Sequence, residues 1–510
     1  MKKISRLLSQ YGINLLLVAV ILILMYFRIQ MGIHRYIDAD EFAHLHWAYS
    51  FFSGERPYKD FFYLFPPFFL FALSKVIFLF GRSFDTVVAA RAFMFLVSVF
   101  TAAGLFMLGR QLQGRVTALL AVFFFLILPL PTDKMIEIRP DLISFAFALW
   151  GIYAYVRGIE KNNKIWLVVS GFCYGLALGF VPKVAFMLIP LILLYLFKLY
   201  RTVTGKQSIV KTLSSLLPFV SGFAIPSVVI LVFLVWTGAP MLGLYSMTKL
   251  ASDLTAILGR KFYMLPSHFF YPNDTFYGIW GYSPAYIVNL GLWGVGIGWG
   301  ILRLMGSLSH KSRVRTVQEF LMAGSFFAML YSYVWIYPLK HVQYLIPISI
   351  FVVWYSADFV RFIISRLIRV PMKWFQCLVG LGVIFSIVFL TSVGIDLYQR
   401  KTVWNSDPSK QKLNRVLSEV PGGTALFDLT GETVFYPDGF YFCCLPYGQY
   451  QEGLTFDLPD ISTEFTRRNT QAVHIPQGWL DKIIVDHKNY LITNFEPSKQ
   501  DPEIWVRKKK

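Results

Sequence analysis

The sequence predicts a mainly α-helical, polytopic membrane protein that carries a small C-terminal α/β domain. Of its 510 residues, 56% are hydrophobic and 18% are aromatic, and the mean hydropathy is +0.54. Apolar stretches of roughly 18 to 22 residues recur along the chain, a length that crosses a bilayer as a helix. Lys and Arg are concentrated in short segments between these stretches, as is typical of cytoplasmic loops. The net charge of +19 is therefore a topology signal and not a sign of nucleic-acid binding.

The first apolar run, residues 14–31, follows three basic residues at the amino terminus. This arrangement is similar to a signal peptide, but the run is long and lacks a small-residue cleavage site, so we expect an uncleaved first span. A long outer loop, residues 32–85, follows it. Within this loop residues 61–80 are apolar, but a proline pair interrupts them and a lysine lies among them. We expect a helix that lies along the membrane interface, because counting it as a span would invert the side of every later segment.

Assigning sides from the basic segments gives a consistent path of about 11 spans. The spans with the clearest limits lie near residues 14–31, 86–109, 116–131, 213–237, 319–337 and 374–394. Residues 238–283 are expected to form a second long outer loop, rich in aromatic residues, Gly and Pro. The tripeptide Asn273-Asp274-Thr275 in this loop fits a glycan acceptor site, a pattern that is common by chance.

The polarity of the chain divides it into a transmembrane domain, residues 1–395, and an α/β domain outside the cytoplasm, residues 396–510. Helical spacing covers residues 409–420, and residues 483–487 are expected to end a second helix. Strands are predicted at residues 424–428, 471–475 and 503–507.

The four cysteines do not indicate a disulfide framework. Cys173 and Cys377 fall within apolar spans, whereas Cys443 and Cys444 are neighbours that could bridge only with strain. No zinc-type spacing accompanies them.

An acidic cluster with three carboxylates follows the first span. Asp38 and Glu41 have the spacing of a capping box, in which Asp38 caps a helix that starts at this point. Asp40 is not needed for the cap and falls in the first turn of the helix, beside an apolar outer surface, so we expect it to be catalytic. Glu41 is a second catalytic candidate, and the alternatives for it are the cap partner or a support for the site. Ionisable groups at the membrane boundary are costly and mark functional sites.

A second acidic group, residues 137–141, is predicted on the same membrane face. Pro140 disfavours a helical conformation of Arg139 and suits the first turn of the next helix, which places Asp141 near the start of that helix. Stabilisation by the helix dipole is a purely structural reason for an acid at this position. Glu137 and Arg139 are expected to pair with each other.

Several cations are predicted at the outer ends of spans, where they have no role in setting the topology. They are candidates for binding a phosphate: Lys183, Lys340, His341, Arg139 and Arg91. Simple snorkelling at the interface is the alternative for Lys183 and Lys340. His44, His46 and Glu41 suggest a metal only weakly, so no cofactor is assigned and a divalent cation stays an alternative.

Several segments occur in a fixed order along the chain: Asp-Glu-Phe-Ala-His at 40–44, Gly-Glu-Arg-Pro-Tyr-Lys-Asp-Phe at 54–61, the proline pair at 66–67, Ala90-Arg91, residues 137–141, the surroundings of Lys183, and Lys-His-Val-Gln-Tyr-Leu-Ile-Pro at 340–347. This ordered set resembles the protein O-mannosyltransferases and the bacterial enzymes related to the aminoarabinose transferase of lipid A, members of the GT-C superfamily of membrane glycosyltransferases. The resemblance covers most of the chain.

This resemblance implies the GT-C fold, a polyprenyl-phosphate sugar donor such as an undecaprenyl phosphate sugar, and an inverting transfer at the outer membrane boundary. Asp40 would be the catalytic acid of the first loop, Glu41 its neighbour and Asp141 the acid of the second loop. The implied substrate-binding set is Lys183, Lys340, His341, Arg139, Arg91 and Tyr344. Expected partners are the lipid-linked donor, an acceptor outside the cytoplasm and membrane lipids, and the expected location is the bacterial inner membrane.

Two other functions compete with sugar transfer. A transporter or lipid flippase would use Asp40, Asp141 and Lys183 to line a pathway, but its charges would lie near the bilayer midplane, often on repeated halves. A receptor or assembly factor would leave the loop carboxylates unexplained. The sequence does not identify the sugar or the class of acceptor.

Overall fold

A computed structural model of the chain describes residues 2–205, 208–250, 253, 283–307, 313–337, 340–444 and 459–508. The described helices, numbered in chain order, are α1 (Lys2–His34), α2 (Ala39–Phe52), α3 (Phe68–Phe80), α4 (Phe84–Leu112), α5 (Arg115–Ile127), α6 (Pro129–Thr132), α7 (Pro140–Lys161), α8 (Lys164–Phe180), α9 (Ala185–Thr204), α10 (Ile209–Thr237), α11 (Pro240–Thr248), α12 (Ser283–Ser307), α13 (Arg313–Tyr331), α14 (Ile346–Leu367), α15 (Lys373–Arg400), α16 (Asp407–Glu419), α17 (Ile461–Arg468) and α18 (Val485–Asn494).

Within the described residues, nine helical segments are long and apolar enough to cross a membrane, or ten if one bent pair counts as a span. The nine segments are Gly12–His34, Phe84–Leu112, Pro140–Lys161, Pro182–Thr204, Thr212–Thr237, Ser283–Gly306, Val314–Ile336, Val342–Leu367 and Lys373–Arg400. By this length and composition the chain is a multi-pass membrane protein.

Two of the predicted spans are shorter than expected, and proline explains both. α5 ends at Ile127 because Leu128, which precedes Pro129, is extended, and the chain then bends by 100° into the next helical segment. α8 ends at Phe180 because Val181, which precedes Pro182, is also extended. This helix has 17 residues and falls short of the length of a span.

Glycines allow α8 and α10 to pack closely against each other. A Cβ atom on Gly171 would lie 1.9 Å from the carbonyl oxygen of Phe219, and one on Gly222 would lie 2.0 Å from that of Val168. Small residues at such contacts let the helix backbones approach closely. The resulting van der Waals packing stabilises the helix pair within a membrane, where the hydrophobic effect does not drive helices together.

Two short helices lie between the first two spans, as the sequence predicts. α2 covers the predicted helical segment of the first acidic cluster, and α3 is a 13-residue apolar helix. The helix expected over residues 61–80 begins only at Phe68, after the proline pair. Of the second loop, residues 238–283, the structure describes residues 238–250, 253 and 283, and Asn273-Asp274-Thr275 lies outside the described residues.

The C-terminal part contains a four-stranded sheet of β1 (Leu426–Asp428), β2 (Ala472–His474), β3 (Phe495–Pro497) and β4 (Ile504–Arg507) in the order β1-β2-β4-β3. β1 and β2 are parallel, and the other two pairs are antiparallel. Three of the strands and α16 match the predicted segments, whereas β3 and α17 were not predicted. The predicted helix end at residues 483–487 is wrong, because α18 begins at Val485 and continues to Asn494.

The C-terminal part packs against the segment that carries the first acidic cluster. The Phe62 N–H donates to the Tyr441 carbonyl oxygen (2.8 Å), and the rings of Phe62 and Phe442 are 4.5 Å apart. The predicted division at residue 395 falls inside α15, which continues to Arg400. Cys443 and Cys444 are joined to each other.

Candidate active site

The start of α2 forms the capping box that the sequence predicts. Asp38 is extended, its side chain accepts a hydrogen bond from the Asp40 N–H (3.1 Å), and its own N–H donates to Glu41 Oε1 (3.0 Å). Burial raises the pKa of the Asp38 carboxyl, but the Lys134 ammonium and the Arg139 guanidinium outweigh it and hold this pKa below its usual range. The Asp40 carboxylate takes no part in the cap.

Glu41 is buried and joins the two acidic segments. Arg91, in α4, contacts both of its oxygens, with Nη2 at 2.6 Å from Oε1 and Nε at 2.9 Å from Oε2. The Ile138 N–H also donates to Oε2, at 3.0 Å. Burial raises the pKa of Glu41, but Arg91 and the backbone N–H of Asp38 hold it below its ordinary value. Glu41 is therefore an ionised support between the segments.

The guanidinium of Arg91 is fully used within the protein. Besides Glu41, it donates to the carbonyl oxygens of Gly32 (2.8 Å), Arg35 (2.6 Å) and Tyr36 (2.6 Å). These contacts account for all five N–H donors of an arginine. The position of Arg91 in the sequence predicts a contact with a substrate phosphate, whereas this geometry suits a clamp that fixes the chain between α1 and α2.

Arg139 connects the second acidic segment to the first. It is extended and directly precedes Pro140 at the start of α7, as predicted. Its Nη1 lies 2.5 Å from Asp40 Oδ2 and its Nη2 lies 3.0 Å from Asp38 Oδ1. Its Nε lies 2.6 Å from Glu137 Oε2, which confirms the predicted pairing of these two residues. One guanidinium thus holds three carboxylates.

A buried ion-pair network extends behind Arg139. Glu137 Oε1 lies 2.7 Å from both Lys134 Nζ and Arg35 Nη1. Arg35 also reaches Asp133 Oδ2 (3.3 Å), which lies 3.5 Å from Lys401 Nζ. An isolated charge is very costly to bury. In this network every acidic side chain contacts a basic one, and this pairing allows many charged side chains to be buried together.

Two charged side chains of the network are much more exposed than the others. The Asp40 side chain is 45% exposed and the Lys183 side chain 25%. The other charged side chains described above are at most 15% exposed. The Asp40 carboxylate and the Lys183 ammonium are therefore the accessible charged groups of an otherwise enclosed cluster.

Lys183 lies between an acid and an aromatic ring. Its Nζ is 3.8 Å from Asp141 Oδ1 and 3.2 Å from the centroid of the Tyr344 ring. Asp141 lies in the first turn of α7, directly after Pro140, as predicted. The ring face of Tyr344 attracts the ammonium group electrostatically, and Asp141 holds it from a second direction.

Lys340 has a different environment, although the sequence predicts the same role for it and Lys183. Its Nζ donates to the carbonyl oxygens of Tyr333, Val334 (3.0 Å) and Tyr337 (2.6 Å). These carbonyls lie in and at the end of the short helical segment Ser332–Ile336 that follows α13. A lysine at this position satisfies and stabilises such a helix end. All three N–H donors of the ammonium are used there.

The neighbouring His341 is uncharged at neutral pH. Its burial and the cations Arg139, Lys183 and Lys134 lower its pKa to about 3. Its ring lies 5.4 Å from that of Tyr344, the same ring that contacts Lys183. His341 can therefore offer a hydrogen bond near Lys183, but it adds no positive charge.

The two histidines of α2 do not share a site. His44 packs among aromatic rings, including that of Phe69 at 5.2 Å, and burial together with Arg139 lowers its pKa to about 3. His46 Nε2 lies 2.7 Å from Asp438 Oδ1, and its Nδ1 lies 3.0 Å from the Val434 carbonyl oxygen. The predicted metal alternative at His44, His46 and Glu41 thus has no common set of ligand atoms.

Residues 65–236 match the model of a protein family described as dolichyl-phosphate-mannose-protein mannosyltransferase. The chain is similar in structure to ArnT from Cupriavidus metallidurans bound to undecaprenyl phosphate, with a TM-score of 0.59 and 13% sequence identity over 97% of this chain and 98% of that one. No curated protein matches the sequence.

The archaeal oligosaccharyltransferase AglB from Archaeoglobus fulgidus, in complex with an inhibitory peptide and a dolichol-phosphate, is also similar in structure. Its TM-score is 0.50 and its identity 11%, over 97% of this chain and 74% of that one. The chain has the GT-C fold. It resembles the mannosyltransferases in sequence and ArnT and AglB in structure.

Within this GT-C fold, several residues that build the site are not marked by any motif in the sequence. Lys134, Arg35 and Lys401 hold the carboxylates Glu137 and Asp133. Lys134 could have been found, because it is a lysine within the predicted outer segment between two acidic residues. Arg35 and Lys401 gave no comparable signal, since their partners lie far away in the sequence.

Proposed function

We propose that the chain is an integral-membrane glycosyltransferase that moves a sugar, with inversion, from a polyprenyl-phosphate carrier to an acceptor outside the cytoplasm. In this reaction the bond between the anomeric carbon and a phosphate oxygen breaks, and its electron pair leaves with the lipid phosphate. An acceptor oxygen bonds to the anomeric carbon and loses its proton to a base. Such a site needs one accessible base and one accessible cation.

The observation that carries this proposal is the exposure of Asp40 and Lys183 at the surface of the buried ion-pair network. In our proposal Asp40 is the general base that takes the proton of the acceptor. Its carboxylate is the most accessible one of the cluster, and Arg139 orients it. Lys183 contacts the departing phosphate, and Tyr344 and Asp141 hold its ammonium in place. Asp141 also helps to orient the acceptor.

The remaining predicted residues have supporting roles in this proposal. Glu41 and Arg91 hold the two acidic segments together, and Arg139 positions Asp40. His341 is a neutral hydrogen-bonding group beside Tyr344. Lys340 fixes the preceding helix end, which positions this segment next to Lys183.

Similarity to known proteins supports the class of donor. The name of the matched family includes dolichyl-phosphate-mannose. The ArnT structure is bound to undecaprenyl phosphate, and the AglB structure is in complex with a dolichol-phosphate. All three names include a polyprenyl phosphate. We infer the same class of carrier here and place the protein in a bacterial inner membrane, with the site and the C-terminal domain outside the cytoplasm.

A transporter explains the geometry less well. The acidic residues lie between helices or in the first turn of one, at the end of the bundle against which the C-terminal part packs. A transport pathway places its charges near the bilayer midplane, on broken helices. No described contact favours this second function.

The experiment compares the purified full chain with Asp40→Asn in detergent. A panel of short-chain polyprenyl-phosphate sugars is supplied together with an envelope extract as the source of acceptors, and the release of lipid phosphate and the transfer of labelled sugar are measured. We expect Asp40→Asn to lower transfer by about 10²–10⁴-fold, the usual contribution of a general base. Asp85→Asn is the matched control, because Asp85 is an exposed acid in the first turn of α4.

Equal transfer by the parent and Asp40→Asn would refute the role of Asp40. If the parent releases no lipid phosphate from any sugar of the panel, the glycosyltransferase proposal itself fails. Uptake of the intact donor into vesicles without release would then favour a transporter.

A further inference from the structure

The turn that follows α2 presents two cations that have no part in the candidate active site. The Arg56 N–H donates to Asp60 Oδ2 (2.8 Å), and the Arg56 carbonyl oxygen accepts from the N–H groups of Lys59 (3.3 Å) and Asp60 (2.8 Å). Pro57 and Tyr58, between the two cations, are buried, whereas Arg56 and Lys59 are exposed. The turn therefore holds both basic side chains at the surface.

The two cations converge on Gly238, the residue that follows α10. A Cβ atom on Gly238 would lie 3.7 Å from Lys59 Nζ and 3.9 Å from Arg56 Nη1. Both charged groups thus lie within 4 Å of one point. Two like charges this close repel each other, and an anion that contacts both removes the repulsion.

The end of α10 does not by itself account for this convergence. A cation that stabilises a helix end donates to the last carbonyl oxygens, as Lys340 does at Ser332–Ile336. Among the described residues, the side chains of Arg56 and Lys59 make no hydrogen bond and no ion pair. Their guanidinium and ammonium groups are therefore available to a ligand from outside the chain.

These cations lie at a membrane boundary. The guanidinium carbon of Arg56 is 5.9 Å from the centroid of the Trp236 ring. Trp236 is half exposed and lies at the end of the membrane-length segment Thr212–Thr237, where a tryptophan sits at the level of the lipid headgroups. Val232 and Val235 of the same helix are exposed as well. An apolar helix face thus leads along the membrane to the two cations.

We propose that Arg56 and Lys59 bind the phosphate of an anionic phospholipid whose chains lie against this exposed face of α10. With Asp60 in the same turn the net charge is one positive unit, which matches the single negative charge of a phosphodiester. The lipid is thus held by charge at its headgroup and by apolar contact along its chains.

This lipid is distinct from the lipid-linked donor of the proposed function. The ring of Phe51, in the last turn of α2, lies 6.3 Å from that of Trp236, whereas Asp40 lies in the first turn of α2. The helix has 14 residues and is therefore about 20 Å long. The phospholipid binds at the end of α2 that is remote from the catalytic acid, and it joins this end to α10.

The experiment titrates the delipidated full chain in detergent with phosphatidylglycerol or phosphatidylcholine and counts the bound lipids by native mass spectrometry. We expect the tightest phosphatidylglycerol to bind at least 10-fold more tightly than phosphatidylcholine. Arg56→Gln/Lys59→Gln should weaken this binding about 30-fold, since each basic side chain near an anionic lipid contributes roughly fivefold. The matched control is Arg110→Gln/Arg115→Gln, which removes two exposed cations at the end of another span.

The conservative variant Arg56→Lys separates charge from fold, because it keeps both positive charges and should retain most of the affinity. The proposal is overturned if the two lipids bind equally, if Arg56→Gln/Lys59→Gln binds phosphatidylglycerol as tightly as the parent, or if the control variant loses as much affinity. It is also overturned if inorganic phosphate displaces the lipid at equal concentration, which would show a site for the free ion. Binding is the only readout, so the result does not depend on sugar transfer.

Discussion

The guanidinium of Arg139 lies 2.5 Å from the carboxylate of Asp40, and the same side chain also contacts Asp38 and Glu137. The accessible acid of the site is therefore held by a residue from the second acidic segment, and its position depends on how two distant parts of the chain pack. The same is true of the accessible cation, because Lys183 is held by Tyr344 and Asp141.

Arg139→Lys tests whether this contact positions Asp40. Lysine keeps the charge but loses the rigid fork that contacts three carboxylates. We expect sugar transfer to fall by roughly 10²-fold through misplacement of Asp40, with kcat affected more than KM. Arg400→Lys is the control, since Arg400 pairs with Asp396 at the surface. Equal losses in the two variants would argue against a positioning role for Arg139.

Lys183→Met and Lys340→Met should have different effects, although the sequence patterns around them predict the same role. Loss of a charge-assisted contact to phosphate should weaken the binding of a polyprenyl-phosphate probe by about 10–100-fold in Lys183→Met. Lys340→Met should leave this affinity almost unchanged and lower the melting temperature, because its ammonium holds backbone carbonyls. Probe titration and thermal melting of both variants check this, and the opposite pattern would exchange the two assignments.

Breaking the buried Glu41–Arg91 pair should lower stability more than breaking an exposed pair. Removing one partner leaves a buried charge without compensation, so we expect Glu41→Gln and Arg91→Met each to lower the free energy of unfolding by about 3–5 kcal/mol. The double variant should lose less than the sum of the two. The exposed pair of Asp396 and Arg400 serves as the control, with an expected change below about 1 kcal/mol for Asp396→Asn. Additive losses at Glu41 and Arg91 would show that the pair is not coupled.

The contact between α2 and the C-terminal domain should weaken at high pH. Burial lowers the pKa of His46, but Asp438, with smaller contributions from Asp428 and the Val434 carbonyl, raises it above its ordinary value. Because the folded pKa is the higher one, the stabilisation is complete below the unfolded pKa of about 6.5 and is lost as the pH rises through the folded pKa.

Hydrogen exchange of α2 at pH 6 and pH 9 measures this effect. We expect faster exchange at pH 9 in the parent and a smaller difference between the two pH values in His46→Gln, after correction for intrinsic exchange rates. His487→Gln is the control, because His487 lies in the same domain and does not contact Asp438 in the described residues. An unchanged pH dependence in His46→Gln would assign the effect to another group.

The sidedness of the chain can be tested with two introduced cysteines. After Cys173→Ser and Cys377→Ser remove the free native thiols, a membrane-impermeant thiol reagent should label Asn405→Cys in intact cells and not Gly205→Cys. Permeabilised cells should show labelling at both positions. The reverse pattern in intact cells would invert the map of the loops.

The local sequence was sufficient for the features that depend on neighbouring residues. The length of the apolar runs predicts the spans, the spacing of Asp38 and Glu41 predicts the capping box, and Pro140 predicts where α7 begins. The GT-C fold was implied by the resemblance of the ordered segments to that superfamily, and the structural similarity to ArnT supports it. Each is a property of a few adjacent residues and of their physical chemistry.

Only the tertiary structure decided which side chains are enclosed and which stay accessible. Lys183 and Lys340 look alike in sequence, but one faces a ring and an acid and the other caps a helix end. His46 and Asp438 are 392 residues apart. No local pattern reports such a contact, because the partner of a charged group is set by the packing of distant segments, where burial makes every unpaired charge costly.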